Sequence, residues 1–161
     1  FEQGLDHKPG EPMTRAKPFV VLHVEDDDDD AFVFALAVSK QLPWVELRRA
    51  MDGLEAQRVL DESEPFHGGG RQMPDLVLLD IKMPRYSGLQ LLKWIRLRSS
   101  VAKLPVAMFS GSREPEELAI AENLGIEAWV QKSADSNEII TFLETFIQAR
   151  HANLTAADGR G

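Results

Sequence analysis

Short apolar runs alternate with longer mixed segments along this chain, and the alternation sets the architecture. Leu76-Val77-Leu78-Leu79 carries no polar residue, so it reads as a strand buried on both faces. It stops on Asp80, and Pro84 and Gly88 then bend the chain away. Phe19 to Val24 is a second such run, ending on Glu25 and Asp26. Trp44 to Arg49 alternates Val45 and Leu47 with Glu46 and Arg48, the pattern of an edge strand with one wet face. Leu104 to Phe109 ends on Ser110, and Ile126 to Gln131 ends on Lys132.

The segments between these strands read as helices. Ala31 to Gln41 follows the acidic run Asp26–Asp30, whose charges suit a first helical turn. Asp52 starts a helix through Leu60, Ser87 one to about Ser99, and Ser112 with Pro115 one that Gly125 stops after Leu124. Asp135 or Ser136 starts the last, to about Arg150. Residues 61–74, with Gly68-Gly69-Gly70, are expected to be a surface loop, because a phosphate loop would continue Gly-Lys-Ser/Thr. Residues 1–17 and 151–161 are expected to be polar tails around one domain over 18–150. Strand and helix alternate five times, which predicts a parallel sheet with helices on both faces.

The 161 residues suit one domain, and 43% apolar with 27% charged content is ordinary for a globular protein. A net charge of -8 argues against nucleic-acid or anionic-membrane binding, which needs a basic patch. There is no cysteine, and no apolar run approaches the ~18 residues of a membrane span. With no basic-then-apolar leader visible, a cytoplasmic protein is expected.

The candidate chemistry lies at the strand ends. In strand order 2-1-3-4-5, Glu25, Asp26, Asp80, Ser110 and Lys132 converge on one rim. Three clustered carboxylates need compensation, and Mg²⁺ takes carboxylates while leaving room for a phosphoryl oxygen. Lys132 and the Ser110 hydroxyl suit phosphate, which makes Asp80 the natural nucleophile. Asp27 to Asp30 read as a solvated charge run, and the four histidines show no ligand spacing. The last helix carries a second apolar stripe, Phe142 and Phe146 beside Ile139, Ile140, Leu143 and Ile147, expected to be covered by the tail or to form a dimer face.

These residues resemble those of the receiver domain of two-component response regulators. The matching positions are Glu25-Asp26, Asp80 in Leu79-Asp80-Ile81-Lys82-Met83-Pro84 with Gly88, Ser110-Gly111, and Lys132, over about residues 18–148. The resemblance implies a flavodoxin-like doubly wound (βα)5 fold, and an Asp80 phosphorylated by a sensor histidine kinase or a histidine phosphotransfer protein. It implies Asp26, Asp80 and the backbone carbonyl of Lys82 as direct Mg²⁺ ligands, with Glu25 acting through water. Ser110 would follow the phosphoryl group and Trp129 would take the place of the aromatic switch. Output would come from the surface of the fourth helix, fifth strand and fifth helix; the extra apolar stripe of the last helix makes that surface a candidate homodimer face, and the first helix, apolar from Ala31 to Val38, is a candidate dock for the kinase. Ser133 stands where the family usually has Pro, and Trp129 is bulkier than the usual Tyr or Phe. The Lys-Ser ending, the long loop before the third strand and the lack of an attached output module resemble receivers paired with bacterial phytochrome-type kinases. Two other readings compete with this one. A haloacid-dehalogenase-type phosphatase would want an acid at position 82, and a passive flavodoxin-like scaffold would need neither Ser110 nor Lys132.

Overall fold

The computed structural model describes residues 18–63 and 72–158. Five parallel strands, β1 (Phe19–Val24), β2 (Val45–Ala50), β3 (Leu76–Leu79), β4 (Val106–Ser110) and β5 (Trp129–Gln131), lie in the order β2-β1-β3-β4-β5. Five helices connect and follow them: α1 (Asp28–Gln41), α2 (Gly53–Glu62), α3 (Gly88–Leu97), α4 (Pro115–Asn123) and α5 (Asn137–Asp158). This is the parallel α/β arrangement that the alternation predicts, with the flavodoxin-like topology that the resemblance implies. β1 and β3 are buried along their whole length, because each has a strand on both sides and a helical layer on both faces.

The register places the strand ends side by side. Val24 pairs with Leu79, Leu79 with Met108, and Ser110 with Gln131. Residues just beyond these pairs therefore meet at one rim. On one face of the sheet, α2, α3 and α4 cover Leu22, Val24, Val77, Leu79, Val106 and Met108. On the other, Phe34 and Val38 of α1 and Ile139, Leu143 and Ile147 of α5 cover Phe19, Val21, Leu76, Leu78 and Ala107.

Local chemistry sets most element ends. Asp27 caps α1 through Asp30 N–H, Asp52 caps α2 through Glu55 N–H, and Ser87 forms a reciprocal capping box with Gln90 on α3. Gly125, at φ 78, follows α4 in the left-handed conformation that ends helices. The structure departs from the sequence expectations at several ends. Ser112 does not cap α4: Glu114 occupies that position without a side-chain bond, and Pro115 opens the helix. The fourth strand begins at Val106, after Pro105, and the fifth is confined to Trp129–Gln131. Residues 151–158, expected as tail, continue α5 to Asp158, because neither Gly nor Pro intervenes before Gly159. The sequence expectations for residues 1–17 and for most of the loop before β3 lie outside the described residues.

The second apolar stripe of α5 is partly used inside the molecule. Phe146 meets Phe19 edge-on at 6.2 Å and Phe142 at 5.8 Å, and the Arg150 guanidinium lies over its ring. No described helix is long and apolar enough to cross a membrane.

Candidate functional site

The carboxyl rim of the sheet gathers the predicted residues. β1 delivers Glu25 and Asp26, β3 delivers Asp80, β4 ends on Ser110, and β5 leads into Lys132. Glu25, Asp80 and Ser110 are buried, and Asp26 is partly exposed. The Ser110 hydroxyl donates to Asp80 Oδ1 at 2.9 Å. The Lys132 ammonium reaches Asp80 Oδ2 at 3.1 Å and Glu25 Oε2 at 2.5 Å. Both oxygens of Asp80 are thus engaged by groups from other strands.

Gly88 shapes the turn that follows Asp80. A Cβ built there would lie 2.0 Å from the Asp80 backbone carbonyl oxygen, so the first residue of α3 must be glycine for the helix to start this close to Asp80. The turn also holds Arg85 at φ 68, and the Gln57 amide on α2 donates to the Tyr86 hydroxyl. The Lys82 side chain is exposed and points away from Asp80. Its ammonium pairs with Glu117 at 2.8 Å and Glu114 at 3.5 Å, at the start of α4.

The electrostatics follow from Lys132 set among several acids. Burial pushes Glu25 up to about 7, and the nearby Asp80 adds to this, against hydrogen bonds from Lys132 and from the Asp27 N–H. Burial alone would lower the Lys132 pKa. Its bonds to Glu25 and Asp30, with the charge of Asp80, outweigh that and hold it well above its ordinary value. One carboxylate oxygen from each of Glu25, Asp26 and Asp80 lies within 4.8 Å of the others. That is an all-oxygen, anionic donor set of the kind hard divalent cations take, and it is short of positive charge.

Four contributions are not legible in the sequence alone, the last of them from a backbone carbonyl. Asp30, read as solvated, has its carboxylate 2.9 Å from the Lys132 ammonium. The rest of that run is also largely partnered, since Asp27 caps α1 and Asp28 pairs with Arg49 at 2.8 Å. A run of identical acids gives no register, so only the fold sorts which of them face inward. Arg49 is the second contributor: its Nε and Nη2 donate to the Glu25 carbonyl at 3.1 and 3.0 Å, fixing the peptide that aims the acidic pair. His23 is the third. It is buried between the rings of Phe34 and Phe109, 4.0 Å from Glu25, and burial, then Lys132 and Arg49, hold it neutral, with a pKa lowered to about 3. The fourth is the carbonyl of Ser112, which accepts from the Trp129 indole at 3.1 Å and ties β5 to the loop that follows Ser110.

The chain belongs to the response regulator receiver domain family, whose model matches residues 21–144. It is a signalling protein of the two-component class. It is 28% identical to the probable methanogenesis regulatory protein FilR2 of Methanothrix harundinacea, with 80% of each chain covered. It is 24% identical to the response regulator Rcp1 of Synechocystis sp., over 79% of this chain and 85% of that one. Among solved structures it resembles the bacteriophytochrome response regulator AtBRR, at 30% identity and a TM-score of 0.67, over 80% of this chain and 91% of that one.

Proposed function

We propose that this receiver domain accepts a phosphoryl group on Asp80 from a phosphohistidine of a histidine kinase or phosphotransfer protein. The observation that carries the reading is the clamp on Asp80: a buried carboxylate with a hydroxyl on one oxygen, an ammonium on the other, and two further acids beside it. In the transfer, an Asp80 oxygen forms the new P–O bond as the P–N bond to the donor imidazole breaks, and the imidazole leaves with its electron pair and takes up a proton. The Lys132 ammonium and the Ser110 hydroxyl then turn from the carboxylate to the phosphoryl oxygens. Asp26, Asp80 and the Lys82 carbonyl would hold Mg²⁺, with Glu25 acting through water, and the ion would neutralise charge on the phosphoryl group. The similarity to AtBRR supports a phytochrome-type kinase as donor.

Output runs through α4, β5 and α5. Movement of Ser110 toward the phosphoryl group shifts the loop carrying Ser112, and with it the carbonyl bonded to Trp129. Local charge is thereby exchanged for a packing change on the surface. The dehalogenase-type phosphatase reading lacks its second acid, because position 82 is a lysine paired toward α4. Intact mass after incubation with phosphoramidate tests the proposal. One added phosphoryl group is expected, dependent on Mg²⁺ and absent in Asp80→Asn. No addition to the folded, Mg²⁺-loaded protein would leave the scaffold reading in its place.

A further inference from the structure

We propose that Asp30 is a positioning residue for Lys132: it holds the ammonium on the α1 side of the site in the unphosphorylated protein and competes with the phosphoryl group for it. This rests on the receiver chemistry proposed above. Asp30 occupies the third position of α1, where an acidic side chain ordinarily folds back on the helix cap. Here that cap is already complete without it. Asp27 Oδ1 accepts from the Asp30 N–H at 2.8 Å, and the Asp27 N–H is taken by Glu25 Oε1 at 3.1 Å. The Asp30 carboxylate is left to cross to β5, where it meets Lys132 at 2.9 Å.

Lys132 therefore has three carboxylate partners: Glu25, Asp80 and Asp30. Glu25 and Asp80 belong to the acidic cluster suited to a cation, and Asp30 does not. With a divalent ion in that cluster, Asp30 is the partner that still draws Lys132 away from Asp80. It is half-exposed, at 50%, whereas Glu25 is fully buried. An exposed ion pair is weak and screened by salt, which suits a contact that must be released each time Asp80 is phosphorylated. Asp30 and Lys132 also line the same 230 Å³ cavity between α1 and the loop after β5, which gives the ammonium room to swing between its partners.

The test is a titration with beryllofluoride, a non-covalent phosphoryl mimic, in Mg²⁺, followed by tryptophan fluorescence. Asp30→Asn is expected to bind about twofold to fivefold more tightly than wild type at low salt, with the gain shrinking at high salt. Asp30→Glu should return toward wild type. Asp29→Asn, which removes the same charge one residue away on an exposed position, should stay near wild type. A purely structural role for Asp30 would instead weaken binding and lower the melting temperature. If Asp30→Asn matches wild type, or Asp29→Asn reproduces its gain, the inference falls. If wild type itself binds no beryllofluoride, the receiver chemistry falls instead.

Discussion

Lys132 pairs with Glu25, Asp30 and Asp80 together, so its removal has a stability cost as well as a chemical one. Lys132→Met leaves buried carboxylates facing one another. Breaking a fully buried pair costs ~3–5 kcal/mol, and Lys132 is slightly exposed, so a loss of about 2 kcal/mol is expected. Urea denaturation without divalent ions measures it, and saturating Mg²⁺ should restore part of the loss. Glu25 gives a second prediction, with a definite sign. Its folded pKa, about 7, lies above the ordinary 4.5. Between those values the folded protein holds a proton that the unfolded chain has released, so its contribution to stability falls as pH rises through that window. Glu25→Gln should flatten this part of the metal-free stability–pH curve. An unchanged slope would mean that Glu25 is ionised throughout.

At the level of elements, the turn between Asp80 and α3 has no slack. Gly88→Ala places a methyl group against the Asp80 carbonyl, so α3 must retreat from β3. A loss of about 2–3 kcal/mol is expected, together with slower phosphoramidate uptake, read by chemical denaturation and intact mass. The same turn shows what sequence does and does not reveal. The apolar runs of β1 and β3 and the caps at Asp52 and Ser87 are strong local signals, and the structure agrees with them. The end of α5 is different: the polar composition after Arg150 suggested a tail, yet no residue there stops a helix. Likewise, Glu25, Asp26, Asp80, Ser110 and Lys132 stand out because each closes a strand. Arg49, His23 and Asp30 do not, because their roles depend on what the neighbouring strand or helix brings near them. Arg49 reaches Glu25 only because β2 lies beside β1 in parallel register, with His23 opposite Arg49.

Taken as a whole molecule, α1 presents exposed apolar surface near the rim. Phe32, Val33 and Leu36 are 67%, 51% and 43% exposed, although the helix buries Ala31, Phe34 and Val38 beneath them. Large exposed apolar patches of this kind usually mark contact sites. The α1 patch lies beside Asp30 and the rim that carries Asp80, where the proposed phosphotransfer would place a kinase. Phe32→Asp is therefore expected to slow phosphotransfer from a histidine kinase that phosphorylates the wild type by about tenfold, the effect of losing a modest interface anchor. Uptake from phosphoramidate, which needs no docking, should be unchanged. Equal loss with both donors would assign Phe32 to the site or the fold instead.

The pairing of Asp30 with Lys132 joins residues 102 positions apart. During synthesis, the acids of β1 and α1 and then Asp80 leave the ribosome well before the lysine that neutralises them. A nascent chain that stops short of β5 holds the acidic rim without its cation and the sheet without one edge. Closing such distant contacts is the slow part of folding an α/β chain. On the proposed reading, Asp80 therefore becomes chemically competent only when almost the whole fold is in place, and a half-made chain takes up no phosphoryl group.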